Sequence, residues 1–286
     1  MEDCKQVDVG LPIRQGDVLK RVHGDGPSVL TIVVTADCDI ANGKFGDAGL
    51  ACVQLMPLAD YMLDDHARTT ARRQLKKRFE KATEWINSRW LIKDPQNVPL
   101  TDERVRTWIM TSPPEEIEAE LASPTNGNMS FIMREAPLIH AAQTLLDAPV
   151  DRYSAIDALR KIQSKSVSRS EQVKTLFGSL DPRNLPLDVF YVSSVPGEPG
   201  VGFIAKLRAL SFIPFNHSFT SIVAAKDVES SFVRIGRLEP TFRHALAQQF
   251  GMLFARIGMP KEYETDRDAA FTLVADQIIA DLGEEQ

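Results

Sequence analysis

Long hydrophobic runs are missing from this 286-residue chain. None approaches the roughly 18 residues that cross a bilayer, so no membrane partner is expected. Cysteine is scarce: there are three, an odd number in a long chain, and no Cys-x-x-Cys pair. That excludes a disulfide framework and leaves a poor zinc signature, because Cys38, Cys52 and His23 would supply at most three ligands. No metal and no cofactor is therefore expected. The Met1-Glu2-Asp3-Cys4-Lys5 start lacks a basic region followed by an apolar one, so no secretory signal is expected and the reading is cytoplasmic. Gly-x-Gly-x-x-Gly, the P-loop, His-Glu-x-x-His and Gly-x-Ser-x-Gly are all absent. So are internal repeats and low-complexity stretches.

What is present is an ordinary globular composition, with 43% hydrophobic and 25% charged residues. The net charge of −6 argues against wholesale nucleic-acid binding, but it is unevenly spread. Seven bases and one acid, Glu80, lie between Arg68 and Lys81, while eight acids and one base, Arg267, lie between Glu262 and Gln286. Such a dipolar chain either docks its own tail on its basic patch or keeps the patch for a partner.

The periodicity divides the chain into four parts. Residues 1–58 read as three strands with short, glycine-containing loops, a meander that begins a small barrel. Residues 59–180 read as a helical block. Leu63, Ala67, Ala71, Leu75, Phe79, Ala82, Ile86 and Trp90 recur every three or four positions, which predicts one long amphipathic helix up to about Ile92. Shorter helices are expected after Thr101 and after Ser112-Pro113-Pro114-Glu115, the latter with a capping-box spacing, then near 136–147, 152–164 and 169–178. Residues 181–238 return to strands: 187–193 and 202–213 flank the turn Pro196-Gly197-Glu198-Pro199-Gly200, and 231–238 follow. Residues 239–286 predict two terminal helices, from Pro240 and from about Asp266.

The most informative stretch is Val29-Leu30-Thr31-Ile32-Val33-Val34-Thr35-Ala36-Asp37-Cys38-Asp39-Ile40. Its apolar half predicts a strand buried on both faces. Its end places Asp37, Cys38 and Asp39 at the mouth of a core element. There Cys38 would serve as a nucleophile, or the two acids, on one side of a strand at i and i+2, would hold a hard metal. The competing reading makes Cys38 a small buried hydrophobe and Asp39 a cap for the turn, and none of the five histidines promises to activate the thiol. Cys4 is expected to sit in a loose terminus.

Two other clusters stand out. Arg68, Arg72, Arg73, Lys76, Lys77 and Lys81 are expected on the exposed side of the long helix, with Arg68, Arg72 and Lys76 in one row. They would bind nucleic acid or an acidic partner through salt-sensitive contacts, against the plainer reading of a solvated face. No aromatic residue interleaves with them, so no stacking platform is indicated. The aromatic-rich segment Phe212, Phe215, His217 and Phe219 reads as core at a sheet end rather than as a pocket or groove.

The order Gln15-Gly16-Asp17-Val18, then Ile32-Val33-Val34-Thr35 ending in Asp37-Cys38-Asp39, then Val53-Gln54-Leu55-Met56-Pro57-Leu58 resembles the PemK/MazF-like SH3-type barrel of bacterial toxin–antitoxin systems. The resemblance covers about residues 13–58. It departs from that family's ribonucleases at two places. Val29-Leu30 stand where an Arg-Pro pair is expected, and Met56 and Leu58 flank the later proline in place of a hydroxyl residue. What the resemblance implies is therefore the barrel more than the ribonuclease chemistry. The expectation is an α+β protein: an SH3-like barrel split by the helical insertion 59–180 and closed by C-terminal helices. It would act as a non-enzymatic interaction or regulatory protein, with a protein partner, in a bacterial conflict system of toxin–antitoxin or phage-defence type. The alternatives are a divergent endoribonuclease using Asp37, Cys38 or Asp39, and a nucleic-acid-binding module working through the basic helix.

Overall fold

The computed structural model describes residues 3–22, 29–121, 130–148, 151–163, 167–180, 185–255, 265, 269 and 270. The loops expected at 23–28 and 123–128 and most of the helix expected at 266–282, with its acidic run, lie outside them.

The protein is α+β, and its strands form one sheet that curls into a half-barrel. In chain order the strands are β1 (Cys4–Lys5), β2 (Asp17–Arg21), β3 (Leu30–Val33), β4 (Leu50–Pro57), β5 (Val189–Val192), β6 (Phe203–Ile213), β7 (Ser218–Phe219) and β8 (Phe232–Leu238). Their order across the sheet is β1-β8-β2-β3-β4-β6-β5, all antiparallel, with β7 added parallel to β8. Thus β2, β3 and β4 form the expected meander, and the strands after residue 181 join the same sheet through β4–β6 and β2–β8. Helical residues 58–178 connect β4 to β5.

β3 lies at the centre of the sheet and all four of its residues are buried. Its alternate side chains go to opposite faces, as a pleated strand requires. Leu30 and Ile32 join Val18, Val53, Leu55 and Phe203 on one face, while Val33 joins Leu19, Leu50, Cys52 and Ile213 on the other. The first face is covered by α9 (Pro240–Ala255), which buries Leu246 and Leu253 against it. Gln249 on that helix donates 2.9 Å bonds to the carbonyls of Leu187 and Val189, fastening the helix to the edge strand β5.

The helical block follows β4 without a loop. Pro57 ends the strand, α2 (Leu58–Asp60) begins at once, a π-helical turn occupies Tyr61–His66, and α3 (Ala67–Lys93) continues for 27 residues. Ala67, Ala71, Leu75, Phe79, Ala82 and Ile86 form its buried face. They pack against α4 (Asp102–Thr111), α6 (Phe131–Asp147) and α7 (Ser154–Ile162), with α5 (Pro114–Glu120) and α8 (Arg169–Gly178) at the flanks. Caps fix several of the starts. Thr101 accepts from Arg104 N, and Ser168 with Glu171 makes a full capping box. The box expected from Ser112 is not made: Pro113 is the N-cap of α5, Pro114 occupies the first turn, and Ser112 ends α4. Val189 and Ile204 reach into the helical core, so the two units share a seam.

Three expectations fail. Asp37-Cys38-Asp39 do not end a strand. β3 stops at Val33 and these residues open the short helix α1 (Asp37–Ala41), so the two acids do not share a strand face. Cys4 is not in a loose terminus but is buried in β1, opposite Leu238. Phe212 and Phe215 are not core: each is about half exposed, and Phe215 stacks on Phe45 with centroids 5.0 Å apart.

One buried ion cluster joins the sheet to the segment before it. Asp17, at the start of β2, is 0% exposed and faces Arg234 and Arg237 of β8. Its Oδ2 accepts from Arg14 N at 2.9 Å, Arg237 Nη2 at 3.0 Å and Arg234 Nη1 at 3.5 Å. Removing the carboxylate strands the buried Arg234 guanidinium and the partly exposed Arg237 one, a change that typically costs about 3–5 kcal/mol. Asp17→Ala is therefore expected to lower the unfolding free energy by that amount, seen as a lower urea midpoint at an unchanged slope. A loss under about 1 kcal/mol would show that the cluster is not buried in solution.

Candidate functional site

Of Asp37, Cys38 and Asp39, the first is the one tied to distant elements. Its Oδ1 accepts from Gln15 N at 2.8 Å, and its Oδ2 lies 3.4 Å from Arg243 Nη1 of α9. Arg243 reaches it by crossing Gly16, whose φ is +82°. A Cβ there would meet Arg243 Cγ at 2.9 Å, so both the backbone conformation and the close passage call for glycine. Asp37 thus ties the turn before β2, the end of β3 and α9 together. Cys38 is exposed, and its Sγ lies 3.8 Å from Asp39 Oδ1. Among the described residues, no group of three or more His, Cys, Asp and Glu is arranged to hold a metal ion.

The basic helix is divided by its own geometry. Arg68 is not on the exposed side as expected: it is 9% exposed, pairs with Asp64, and donates to Leu146 O at 2.9 Å and Ser154 Oγ at 3.0 Å. It stands one position after the buried Ala67 and pins α6 and α7 to α3. Arg78 is likewise engaged, with Glu135 and the carbonyl of Ile162. Arg72, Arg73, Lys76, Lys77 and Lys81 are exposed. Lys76 has a loose 3.8 Å pair with Glu80. The other four have no carboxylate partner among the described residues. Residues 72–81 of a helix span about 13.5 Å, so the charges are gathered along one short length of the helix, spread across its exposed half.

α6 adds what the sequence pattern did not indicate. Lys77 and Lys81 line a cleft of about 470 Å³ together with Phe131 and Arg134 of that helix. Phe131 stacks on Trp85 at 5.7 Å, and Arg134 sits over the Phe131 ring at 5.7 Å. An aromatic group therefore does adjoin the bases, supplied across the bundle rather than along the helix.

A second cleft, of about 430 Å³, opens at the seam between the π-helical turn and β6. An α-helix would set Tyr61 and His66 about 140° apart around its axis. The wider π-turn brings them to the same side, with ring centroids 6.1 Å apart. Across the cleft, β6 is irregular too. Val53 of β4 pairs with Leu210 and the next residue, Gln54, pairs with Lys206, so β6 bulges between them. The bulge puts Lys206, Arg208 and Ala209 on the cleft wall. Lys206 pairs with Asp65 at 2.5 Å and Arg208 with Asp188 at 3.9 Å. Burial, then Arg73, hold His66 below its ordinary pKa, while burial, then Asp188 and Asp65, raise that of Tyr61.

No family model, no curated protein and no solved structure matches this chain. The site is read from its own residues alone. Neither a π-turn nor a bulge has a signature in the sequence, which is why periodicity passed over the seam.

The cysteines give a direct check on this placement. Burial, reinforced by Asp3, Asp17 and Glu239, pushes the Cys4 thiol to about 12, and burial pushes Cys52 to about 12 against a bond from Thr31. A disulfide reagent at pH 8 is expected to titrate one thiol per folded chain, lost in Cys38→Ser, and all three in urea. Three fast thiols in the folded protein would contradict the burial of β1 and β4.

Proposed function

We propose that the chain is a non-enzymatic interaction and regulatory protein that holds a nucleic-acid strand by its phosphates along α3. The observation that carries this is the group of Arg72, Arg73, Lys77 and Lys81, four exposed cations without carboxylate partners among the described residues. The remaining bases of the helix are engaged: Arg68, Arg78 and Lys93 with acids, Lys76 loosely with Glu80, and Arg89 over the Trp85 ring. Cations that no internal acid neutralises are the part of a surface a phosphate backbone can pair with, releasing its counterions. The Phe131–Arg134 cleft beside them offers an unstacked base a ring or a guanidinium plane.

The sheet is read as an SH3-like barrel with residues 59–180 inserted between its halves. The conflict-system setting, toxin–antitoxin or phage defence, follows the PemK/MazF-like resemblance of residues 13–58. A protein partner is a second reading, favoured by Leu210 and Phe212, which are exposed on one side of β6, and by Phe215 beyond it. Asp37, Cys38 and Asp39 are read as structural.

Anisotropy with a labelled single strand tests the first reading. Affinity should fall with salt at a log–log slope of about −3, that of four phosphates neutralised on a single strand. The fourfold change of Arg72, Arg73, Lys76 and Lys77 to Glu should abolish binding without lowering stability. Absence of binding at low salt ends this reading. Strand cleavage lost in Cys38→Ala would replace it with the ribonuclease one.

A further inference from the structure

We propose that the cleft between the π-turn and β6 is a binding site for a phosphomonoester group. The inference does not rest on the nucleic-acid reading of α3, although Arg73 lies at the border of both surfaces. The cleft is bounded by two backbone irregularities, the π-turn at Tyr61–His66 and the β6 bulge at Lys206–Leu210. Each lowers local regularity, and the two face one another across a space of about 430 Å³, within the range of small-ligand sites. Both kinds of irregularity are over-represented beside functional sites, and here they border the same space.

The chemistry of the walls selects the ligand. Asp65 and Asp188 are already matched by Lys206 and Arg208, so neither acid is an open cation site. Arg73 is the cation of this cleft that lacks a carboxylate partner among the described residues, which leaves one positive charge to be met by an anion. The other donors lining the cleft are the His66 imidazole and the Thr69 hydroxyl one turn before Arg73, with the Lys206 ammonium, already paired with Asp65, beside them. A phosphoryl group with three terminal oxygens can accept from several of these at once. A carboxylate has two oxygens to offer and meets fewer of them. The Tyr61 ring gives the rest of such a ligand an apolar wall.

The test is imidazole NMR of the full chain, with inorganic phosphate titrated against chloride at fixed ionic strength. His66 resonances, assigned by His66→Gln, should shift saturably. Arg73→Gln should weaken the phosphate about tenfold or more, the loss of one charge-assisted hydrogen bond, whereas Lys76→Gln should leave it unchanged. An unsaturable shift, an equal response to acetate, or an Arg73→Gln response like that of the native chain would each overturn the proposal. Further arms separate the sources of the group. A 5′-phosphorylated oligonucleotide preferred over its 5′-hydroxyl form assigns a strand end. A mononucleotide that saturates the shift, with no such preference between the strands, assigns a free metabolite. The salt dependence of the unphosphorylated strand is read separately, so the polyanion reading fails or stands on its own measurement.

Discussion

The curled sheet depends on a carboxylate that has no water. Asp17 is fully buried, and an isolated ion in that position would cost several kcal/mol after relaxation. It is tolerated because Arg234 and Arg237 approach from β8 and the Arg14 amide from its own turn. The two guanidiniums then have donors to spare. Arg234 gives bonds to the carbonyls of Asp8, Leu11 and Pro12, and Arg237 a further one to Pro12. Residues 8–14 form no strand, so these carbonyls have no ladder to satisfy them. Side chains from β8 bond them instead, beside the turn bond from Leu11 N to Asp8 O, and the irregular segment is held to the sheet without sheet geometry.

The same economy of cations recurs one turn further on. Gly16 clears the way for Arg243, which brings α9 to Asp37, and Lys20 is matched by Glu198 of the β5–β6 turn at 2.5 Å. Around the first half of the sheet these paired cations therefore close the fold. Asp37 belongs to this group. Its two oxygens serve Gln15 and Arg243, so it links the turn before β2 to α9.

Much of this architecture is written in local pattern. The 3.6-residue spacing of Ala67, Leu75, Phe79 and Ile86, the Thr101 cap, and the continuous Leu30–Val33 run each determine an element from a few neighbouring side chains. What is not legible is whatever depends on distant partners. The Asp17 cluster joins residues 217 and 220 positions apart, and nothing near Asp17 in sequence announces a buried ion. Arg68 looks like any base of a charged run. Only the arrival of Leu146 and Ser154, 78 and 86 residues later, turns it inward. Asp37-Cys38-Asp39 looks like chemistry because acids and a thiol are reactive types. The partners of Asp37, Gln15 and Arg243, are ones the local pattern does not mention.

This division of charge decides where the protein can offer anything to a polyanion. The chain carries a net charge of −6, so its mean field repels phosphate, and only a local excess can reverse that. At physiological ionic strength the field of an exposed charge is largely screened beyond about 8 Å. Distant acids therefore matter little to such a group, and nearest neighbours decide. Around the sheet, Arg234, Arg237, Arg243 and Lys20 are each paired within the fold. On α3 the helical period sends Arg68 and Arg78 inward to partners and leaves Arg72, Arg73, Lys77 and Lys81 outward within about two and a half turns, each within a screening length of its nearest neighbour. Their fields add where those of the paired cations cancel. Residues 59–180 thus bring a concentration of unmatched charge, while the four paired cations around the sheet hold the fold closed.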